Sequence, residues 1–167
     1  MKTIHPAGAW DRPFGFVTRR RRSQQSRPAH PSRMRIALAS TQDRLAIAQL
    51  RHAVYAEELQ QYPIQPDGRL MDPSESNRID IAATLDGSLA GYISLTPPSA
   101  PQWALEKYLA ASDVPIPRDP QTYEVRLLTV NSAYRRRRVG STLMYAAFRW
   151  IEAHGGTHII AVVRAPT

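Results

Sequence analysis

From Met34 onward, apolar and polar residues follow a regular pattern, in some segments with the period of a strand and in others with that of a helix. Residues 34–39 alternate singly, which predicts a short strand. Ser40 or Thr41 can cap a following helix, with Asp43 in its first turn. We expect this helix to bury one apolar face, made of Ile47, Leu50, Val54 and, as its extension, Leu59. The regular structure therefore begins with a strand and a helix.

A hairpin is predicted after a proline-rich loop over residues 62–77. Two stretches, residues 79–85 and 89–95, alternate with period two, and Asp86-Gly87 stands between them. This dipeptide favours two-residue turns in which both central residues have positive φ. The pattern therefore predicts two antiparallel strands.

The last third of the chain reads as a strand, a helix and a strand. Tyr123–Val130 is typical of a buried strand, and Gly140–His154 has a helical period with one apolar face. Gly155-Gly156 suits the left-handed residue that ends a helix, and residues 157–163 form a final apolar strand. A short helix is also expected around residues 103–111.

These elements give the order β-α-β-β-(insert)-β-α-β. The hairpin requires antiparallel pairing, whereas the final β-α-β unit requires a parallel pair. We therefore expect an α/β fold in which helices flank a mixed parallel and antiparallel central sheet. The 167 residues have room for one such domain, over residues 34–167.

Residues 1–33 differ from the rest because they are rich in Pro, Arg and Ser and show no periodicity. They hold eight basic residues and one acidic residue, and so carry most of the net charge of +8. Residues 34–167 are nearly neutral, so the charge does not favour a nucleic-acid-binding domain. We interpret residues 1–33 as a disordered basic tail. A targeting or RNA-contacting role, or a true start at Met34, stays open.

Composition excludes several other classes of protein. The sequence has no cysteine, which excludes disulfides, thiolate metal sites and a cysteine nucleophile. The five histidines are scattered, so we expect no metal site. No apolar run approaches the length that a bilayer requires, and we expect a cytoplasmic protein without a membrane span.

Candidate chemistry lies between the Tyr123–Val130 strand and the helix after it. Arg135–Arg138 make the connecting loop strongly basic, and Gly140 opens the helix. Unpaired backbone N–H groups and the positive end of the helix dipole meet at such a place. The pattern favours a phosphate or pyrophosphate site, and thus an enzyme with a phosphorylated cofactor. A solvated basic loop is the alternative.

The element order and this loop resemble the GNAT superfamily of acyltransferases, which is related to Gcn5. The signature Arg/Gln-x-x-Gly-x-Gly/Ala is matched at Arg135 and Gly140, whereas Arg138 stands where the middle glycine belongs. The resemblance covers about residues 34–164 and implies an acyl-CoA N-acyltransferase-like fold. Because that fold continues past its fifth strand, we expect a chain that lacks the last helix and strands and is incomplete at its C-terminus.

In this family the loop holds the pyrophosphate of acyl-coenzyme A (acyl-CoA), and the pantetheine arm follows the fourth strand. The resemblance implies that main-chain groups of Leu128 and Val130 bind pantetheine, with Arg135 at the entrance of the loop. The residues implied to cradle the pyrophosphate are Arg136, Arg137, Arg138, Val139, Gly140 and Ser141. The implied co-substrate is acetyl-CoA or another acyl-CoA, with no metal.

Glu124 resembles the catalytic general base of several family members, which removes a proton from the attacking amine. We expect a backbone N–H near Leu128 to polarise the thioester carbonyl. Ser94 and Thr96 are candidates for the acceptor side of the site. An ordinary surface glutamate, paired with Arg126 or another neighbour, is the alternative interpretation of Glu124.

A second stretch, Leu50–Leu59, is similar to the first helix of N-acyl amino acid synthases and acyl-homoserine lactone synthases. Those relatives of GNAT take long acyl chains. Asp72 and Asp80 stand roughly where that branch has acidic residues, whereas Leu127 replaces the arginine of its Glu-x-x-Arg motif. Simple core packing by this helix is the alternative.

The leading functional hypothesis is an acyl-CoA-dependent N-acyltransferase of acetyltransferase type, acting on a small-molecule amine. A long-chain N-acyl amino acid or homoserine lactone synthase and a non-catalytic module that senses coenzyme A (CoA) stay open. An uncovered apolar edge at the last strand would favour a homodimer. We do not expect nucleic acid to be a partner. The acceptor, the acyl length and the donor, CoA or acyl carrier protein, are left unspecified.

Overall fold

The predicted strands form one five-stranded mixed sheet in the order in which they occur along the chain. The computed structural model describes residues 33–72, 75–114, 116 and 118–161. The strands are β1 Met34–Leu38, β2 Ile79–Leu85, β3 Ser88–Thr96, β4 Thr122–Val130 and β5 His158–Ala161. The pairs from β1 to β4 are antiparallel, and β4 and β5 are parallel. The predicted α/β class and its mixed sheet are confirmed.

The hairpin turn between β2 and β3 has the predicted geometry. Asp86 and Gly87 both have positive φ, at 50° and 87°. The N–H of Arg33, just before β1, donates to the Asp86 carboxylate over 3.1 Å and so links the start of β1 to the turn. The dipeptide thus sets the first pairs of the hairpin, Leu85 with Ser88 and Thr84 with Leu89, and the register shifts by one residue after them.

Two helices flank the sheet, and the first is less regular than predicted. Helix α1, Asp43–Arg51, continues directly as a π-helix over His52–Glu58. The wider turn of the π-helix breaks the 3.6-residue period. The prediction that Leu59 extends the apolar face is therefore wrong, because Leu59 lies after the π-helix and is 43% exposed.

The second helix, α2, spans Val139–Ala153, and the left-handed Gly155, whose φ is +81°, follows its cap His154. It connects the parallel strands β4 and β5, as predicted. The helix expected around residues 103–111 is instead two short 3₁₀ turns, Ala104–Lys107 and Ala111–Asp113. The structure thus replaces a predicted α-helix by tighter turns in the insert between β3 and β4.

Helix α2 packs on one face of the sheet and α1 on the other. The core under α2 contains most of the apolar residues predicted for β2 and β3, whereas Leu89 packs against the core under α1. The members of the α2 core are Ile81, Ala83, Leu85, Ala90, Ile93, Leu95, Tyr123, Val125, Val139, Leu143, Ala147 and Ile151. The core under α1 is smaller and contains Ile47, Leu50, Val54 and Tyr92. We call these the α2 face and the α1 face.

Strand β4 changes its alternation in the middle because of a bulge. Thr129 pairs with Tyr92 and Arg126 pairs with Ser94, so β4 has one residue more than β3 between these pairs. Leu127 has a φ of +56°, which is unusual for a non-glycine residue. The bulge lies where the resemblance places the pantetheine arm.

Some predicted segments lie outside the described residues. They are residues 1–32 of the predicted tail and the end of the predicted last strand, residues 162 and 163. Among the described residues, no helix is long and apolar enough to cross a membrane.

Gly91 lets β3, β4 and α2 approach closely, and an alanine there should destabilise the fold. An added Cβ would stand 2.7 Å from the Thr129 carbonyl oxygen and 3.1 Å from Val139 Cγ1. We expect Gly91→Ala to lower the free energy of unfolding by about 1–3 kcal/mol. Gly140→Ala is the matched control, because its Cβ would meet only ordinary contacts at 3.7 Å or more.

Alanine is favoured over glycine inside a helix, so the control should be neutral or stabilising by up to about 1 kcal/mol. Urea unfolding of both variants checks the contrast. Equal stability of the two variants would contradict the close approach at Gly91.

Candidate functional site

The bulge in β4 divides the predicted site residues between the two faces of the sheet. Leu127 packs into the α1-face core, whereas Val130 packs against the α2-face core. Leu128 is partly exposed, and its side chain and that of Val130 lie beside Gly140 at the start of α2. The structure therefore brings the two predicted pantetheine residues next to the predicted pyrophosphate loop.

The basic loop itself is built from a 3₁₀ turn and two left-handed residues. Asn131 caps the turn Ser132–Tyr134, its side chain accepting from the N–H of Ala133. Arg136 and Arg138 then adopt positive φ, at 66° and 61°. Arg138 therefore has the backbone conformation that glycine favours, at the position where the GNAT signature has glycine.

Helix α2 begins immediately after Arg138. Its first internal hydrogen bond runs from the N–H of Thr142 to the carbonyl of Arg138, over 3.0 Å. The amides of Val139, Gly140 and Ser141 precede that bond and have no acceptor within the helix. The Ser141 hydroxyl donates to the Arg138 carbonyl, which keeps the first turn tight. These amides and the helix dipole form a place suited to an anion.

Arg135 is tied to the π-helix and does not stand free at the entrance of the loop. One of its terminal nitrogens lies 2.5 Å from a Glu58 carboxylate oxygen. The hydrogen bond from Arg135 lowers the pKa of Glu58, and the Glu58 carboxylate raises the pKa of Arg135. The other three arginines, Arg136–Arg138, are exposed.

Glu124 has a structural task that the sequence did not reveal. The residue is 1% exposed and lies on the face opposite Tyr123 and Val125, as expected. Its two carboxylate oxygens accept the N–H groups of Ala104, at 2.9 Å, and Leu105, at 2.8 Å. The carboxylate thus caps the first 3₁₀ turn of the insert through two backbone groups, and Glu124 is not a surface residue.

The α1 face contains a buried cluster of charged residues, which the sequence did not show to lie together. One oxygen of Asp72 lies 2.6 Å from Arg78, 3.0 Å from Arg126 and 3.5 Å from Arg51. Arg78 also reaches Asp80 over 3.1 Å, and the Ser94 hydroxyl donates to Asp80. We call these six residues the Asp72 cluster.

The sequence contained one signal for this cluster. Arg78 and Asp80 alternate with isoleucines on a strand whose second face is also covered, so their charges have to be paired inside the protein. Arg126 directly precedes Leu127, the position at which the Glu-x-x-Arg motif has its arginine. The bulge places the side chains of Arg126 and Leu127 on the same face.

Metal ligands are not grouped in the described part of the chain. There, no set of three or more His, Cys, Asp or Glu side chains is arranged to hold an ion.

Sequence comparison assigns the chain to a family. The sequence model of the acetyltransferase (GNAT) family matches residues 44–166. This chain is a member of the GNAT family. No curated protein sequence matches it significantly.

Solved structures support the same fold. A GNAT family acetyltransferase from Brucella melitensis, in complex with acetyl-CoA, is 17% identical; the TM-score is 0.57, over 80% of this chain and 77% of that one. The AHL synthase LasI is 14% identical with a TM-score of 0.64, over 78% of this chain and 72% of its own. The acyl-homoserine lactone synthase BjaI is 20% identical with a TM-score of 0.62, over 78% of this chain. The match spans 66% of BjaI, less than two thirds of that synthase.

The left-handed backbone at Arg138 leads to a prediction about the loop. Left-handed φ costs a residue with a Cβ about 1–2 kcal/mol, and glycine avoids this cost. We expect Arg138→Gly to raise the free energy of unfolding by about 1 kcal/mol. Arg137→Gly removes the same charge at a residue whose φ is not positive, and should lower it by about 0.5–1 kcal/mol.

Urea unfolding of both variants at one ionic strength measures the difference. If Arg137→Gly were as stable as Arg138→Gly, the loop would not hold Arg138 in the left-handed conformation.

Proposed function

We propose that this GNAT protein transfers an acyl group from an acyl-CoA thioester to an amine. The observation that carries the proposal is the start of α2, where backbone amides, the helix dipole and three exposed arginines meet beside the bulged strand. A pyrophosphate carries the charge that this place favours. The acetyl-CoA of the Brucella enzyme and the isopentyl-CoA of BjaI are both CoA thioesters, which supports a donor of this class.

Roles follow for the predicted residues. Amides of Val139–Ser141 would bind the pyrophosphate, and Arg136–Arg138 would add side-chain charge. Main-chain groups of Leu128 and Val130 would hold the pantetheine arm, next to Gly140. Arg135, which is bound to Glu58, would orient the loop without contacting the phosphates directly.

The reaction itself requires one bond to form and one to break. The neutral amine nitrogen attacks the thioester carbonyl, the C–N bond forms and the C–S bond breaks. The amine gives up one proton and the leaving thiolate takes one, so the charges balance. A backbone N–H at the bulge, near Leu128, would stabilise the oxyanion that develops on the carbonyl.

Two versions of the proposal differ in the length of the acyl chain that the CoA thioester carries. Acetyl-CoA corresponds to the acetyltransferases, whereas a long acyl chain corresponds to the synthase branch. The Asp72 cluster favours keeping the second version, because Asp72 and Asp80 are the acidic residues that the resemblance to that branch singled out.

A non-catalytic CoA-binding role is the third version. A cytoplasmic location, the domain boundary at residue 34 and a homodimer stay predictions.

Donor binding can be tested on the full chain with Arg136→Ala/Arg137→Ala. Hydrogen bonds to charged groups contribute about 1.5–3 kcal/mol each, so we expect acyl-CoA affinity to fall by about tenfold or more. Arg44→Ala/Arg149→Ala removes the same charge from exposed positions away from the loop and should keep affinity. Calorimetric titration with acetyl-CoA, decanoyl-CoA and free CoA measures binding and also selects the donor length. Equal loss in both double variants would show a nonspecific charge effect and contradict the assigned site.

The proposed base role of Glu124 has a separate test. Glu124→Gln turns one acceptor of a backbone N–H into a donor, so stability should fall by about 1–3 kcal/mol. If Glu124 is also the base, kcat should fall by about 100-fold or more in folded protein, with little change in KM. CoA release measured over pH, at a temperature where the variant is folded, separates the two roles. A kcat that follows only the folded fraction would leave Glu124 with its capping task alone.

A further inference from the structure

A cavity of about 270 Å³ lies on the α1 face, between the end of β3, the middle of β4 and the first 3₁₀ turn of the insert. We call it the insert cavity. The lining residues that matter are Asn77, Thr96, Gln102, Trp103, Lys107 and Arg126. At about 30 Å³ per water molecule, its volume suits a molecule of roughly amino-acid size.

Positive charge dominates the wall of this cavity. Arg126 and Lys107 line it, and none of the described lining side chains is a carboxylate. The Arg126 side chain is 16% exposed and is held in place by Asp72. Arg118 lies over the Trp103 ring, 5.2 Å from its centre, but its charge is offset by Glu106, which it contacts over 2.8 Å. An anionic group is therefore favoured in the cavity.

Two lining residues carry buried polar atoms that need a hydrogen-bond partner. Thr96 is 4% exposed and Trp103 is 2% exposed. Among the described residues, the Thr96 hydroxyl and the Trp103 indole nitrogen have no protein partner. A buried polar group without a partner costs about 1–3 kcal/mol, so a ligand that accepts hydrogen bonds would recover this energy. The indole N–H can only donate, and the hydroxyl can also donate.

The insert cavity borders the place where the proposed thioester would lie. Arg126 is the last residue of β4 before the bulged Leu127, and Thr96 pairs with Glu124 across β3 and β4. Pairing of β4 with β5 is described as far as Val125 and Ala161. An acceptor held in the cavity would thus approach the carbonyl from the α1 face.

We propose that the insert cavity binds the carboxylate of the acyl acceptor, so that the acceptor is a small amine that also carries a carboxylate, as an amino acid does. This inference rests on the proposed acyl transfer. Arg126 and Lys107 supply the charge, and Thr96 and Trp103 supply neutral donors. The carboxylate takes no part in bond making; it fixes the distance of the amine from the thioester.

The test compares ligands that differ only in the carboxylate. The twenty L-amino acids, the matching L-amino acid amides and inorganic phosphate are titrated into the full chain, with and without CoA. Release of CoA from acetyl-CoA and decanoyl-CoA is then followed with the same compounds. We expect binding and CoA release with one or more amino acids, and at least tenfold weaker binding of the matching amides.

Thr96→Val provides a variant that keeps the fold. It removes a buried hydroxyl without a protein partner, so it should be at least as stable as the wild type. Carboxylate binding should nevertheless weaken by about tenfold, and Lys107→Gln should weaken it and reduce its dependence on salt. Thr84→Val, on β2 and away from the cavity, is the matched control and should change neither property.

The outcomes separate this inference from the proposed function. If acyl-CoA binds but amides are bound or acylated as well as amino acids, acyl transfer stands and the carboxylate pocket is overturned. If amino acids bind in a manner that Thr96→Val weakens, but acyl-CoA does not bind, the pocket stands and acyl transfer falls. Binding of phosphate alone, no binding at millimolar amino acid, or unchanged binding by Thr96→Val would overturn the pocket.

Discussion

The bulge in β4 is the constraint on which the rest of the site depends. One additional residue in β4 places Arg126 and Leu127 on the same face and returns Leu128 to the other. As a result β4 places Arg126 on the α1 face and places Leu128 and Val130 on the α2 face, beside the basic loop. Without the bulge, strict alternation would reverse every side chain after Arg126.

Short-range patterns made much of the fold predictable. Asp86-Gly87 specified the hairpin because positive φ at two successive residues favours this dipeptide. The last helix was predictable from its apolar period and from Gly155 at its end. The basic loop was found because four arginines between a strand and a helix form a local signal. In each case the determining residues are close in sequence.

Features that depend on distant residues were not predictable. The partners of Glu124 are amides twenty and nineteen residues away, and nothing in their side chains shows that they need an acceptor. The π-helix after Arg51 was hidden because its residues also fit an α-helical pattern over one turn. The left-handed Arg138 could be expected only from the family signature, since arginine does not favour that conformation.

The sharing of Asp72 by three arginines also affects how this sequence can change in evolution. The arginines lie in α1, directly before β2 and in β4, so one carboxylate connects three separate parts of the chain. A neutral residue at position 72 would deprive three guanidinium groups, two of them buried, of a common acceptor, and loss of one partner of a buried pair is strongly destabilising. A single replacement at any of these four positions therefore leaves a charge of the cluster without its partner and destabilises the protein. Viable routes require compensating replacements, and we expect positions 51, 72, 78 and 126 to vary together among relatives.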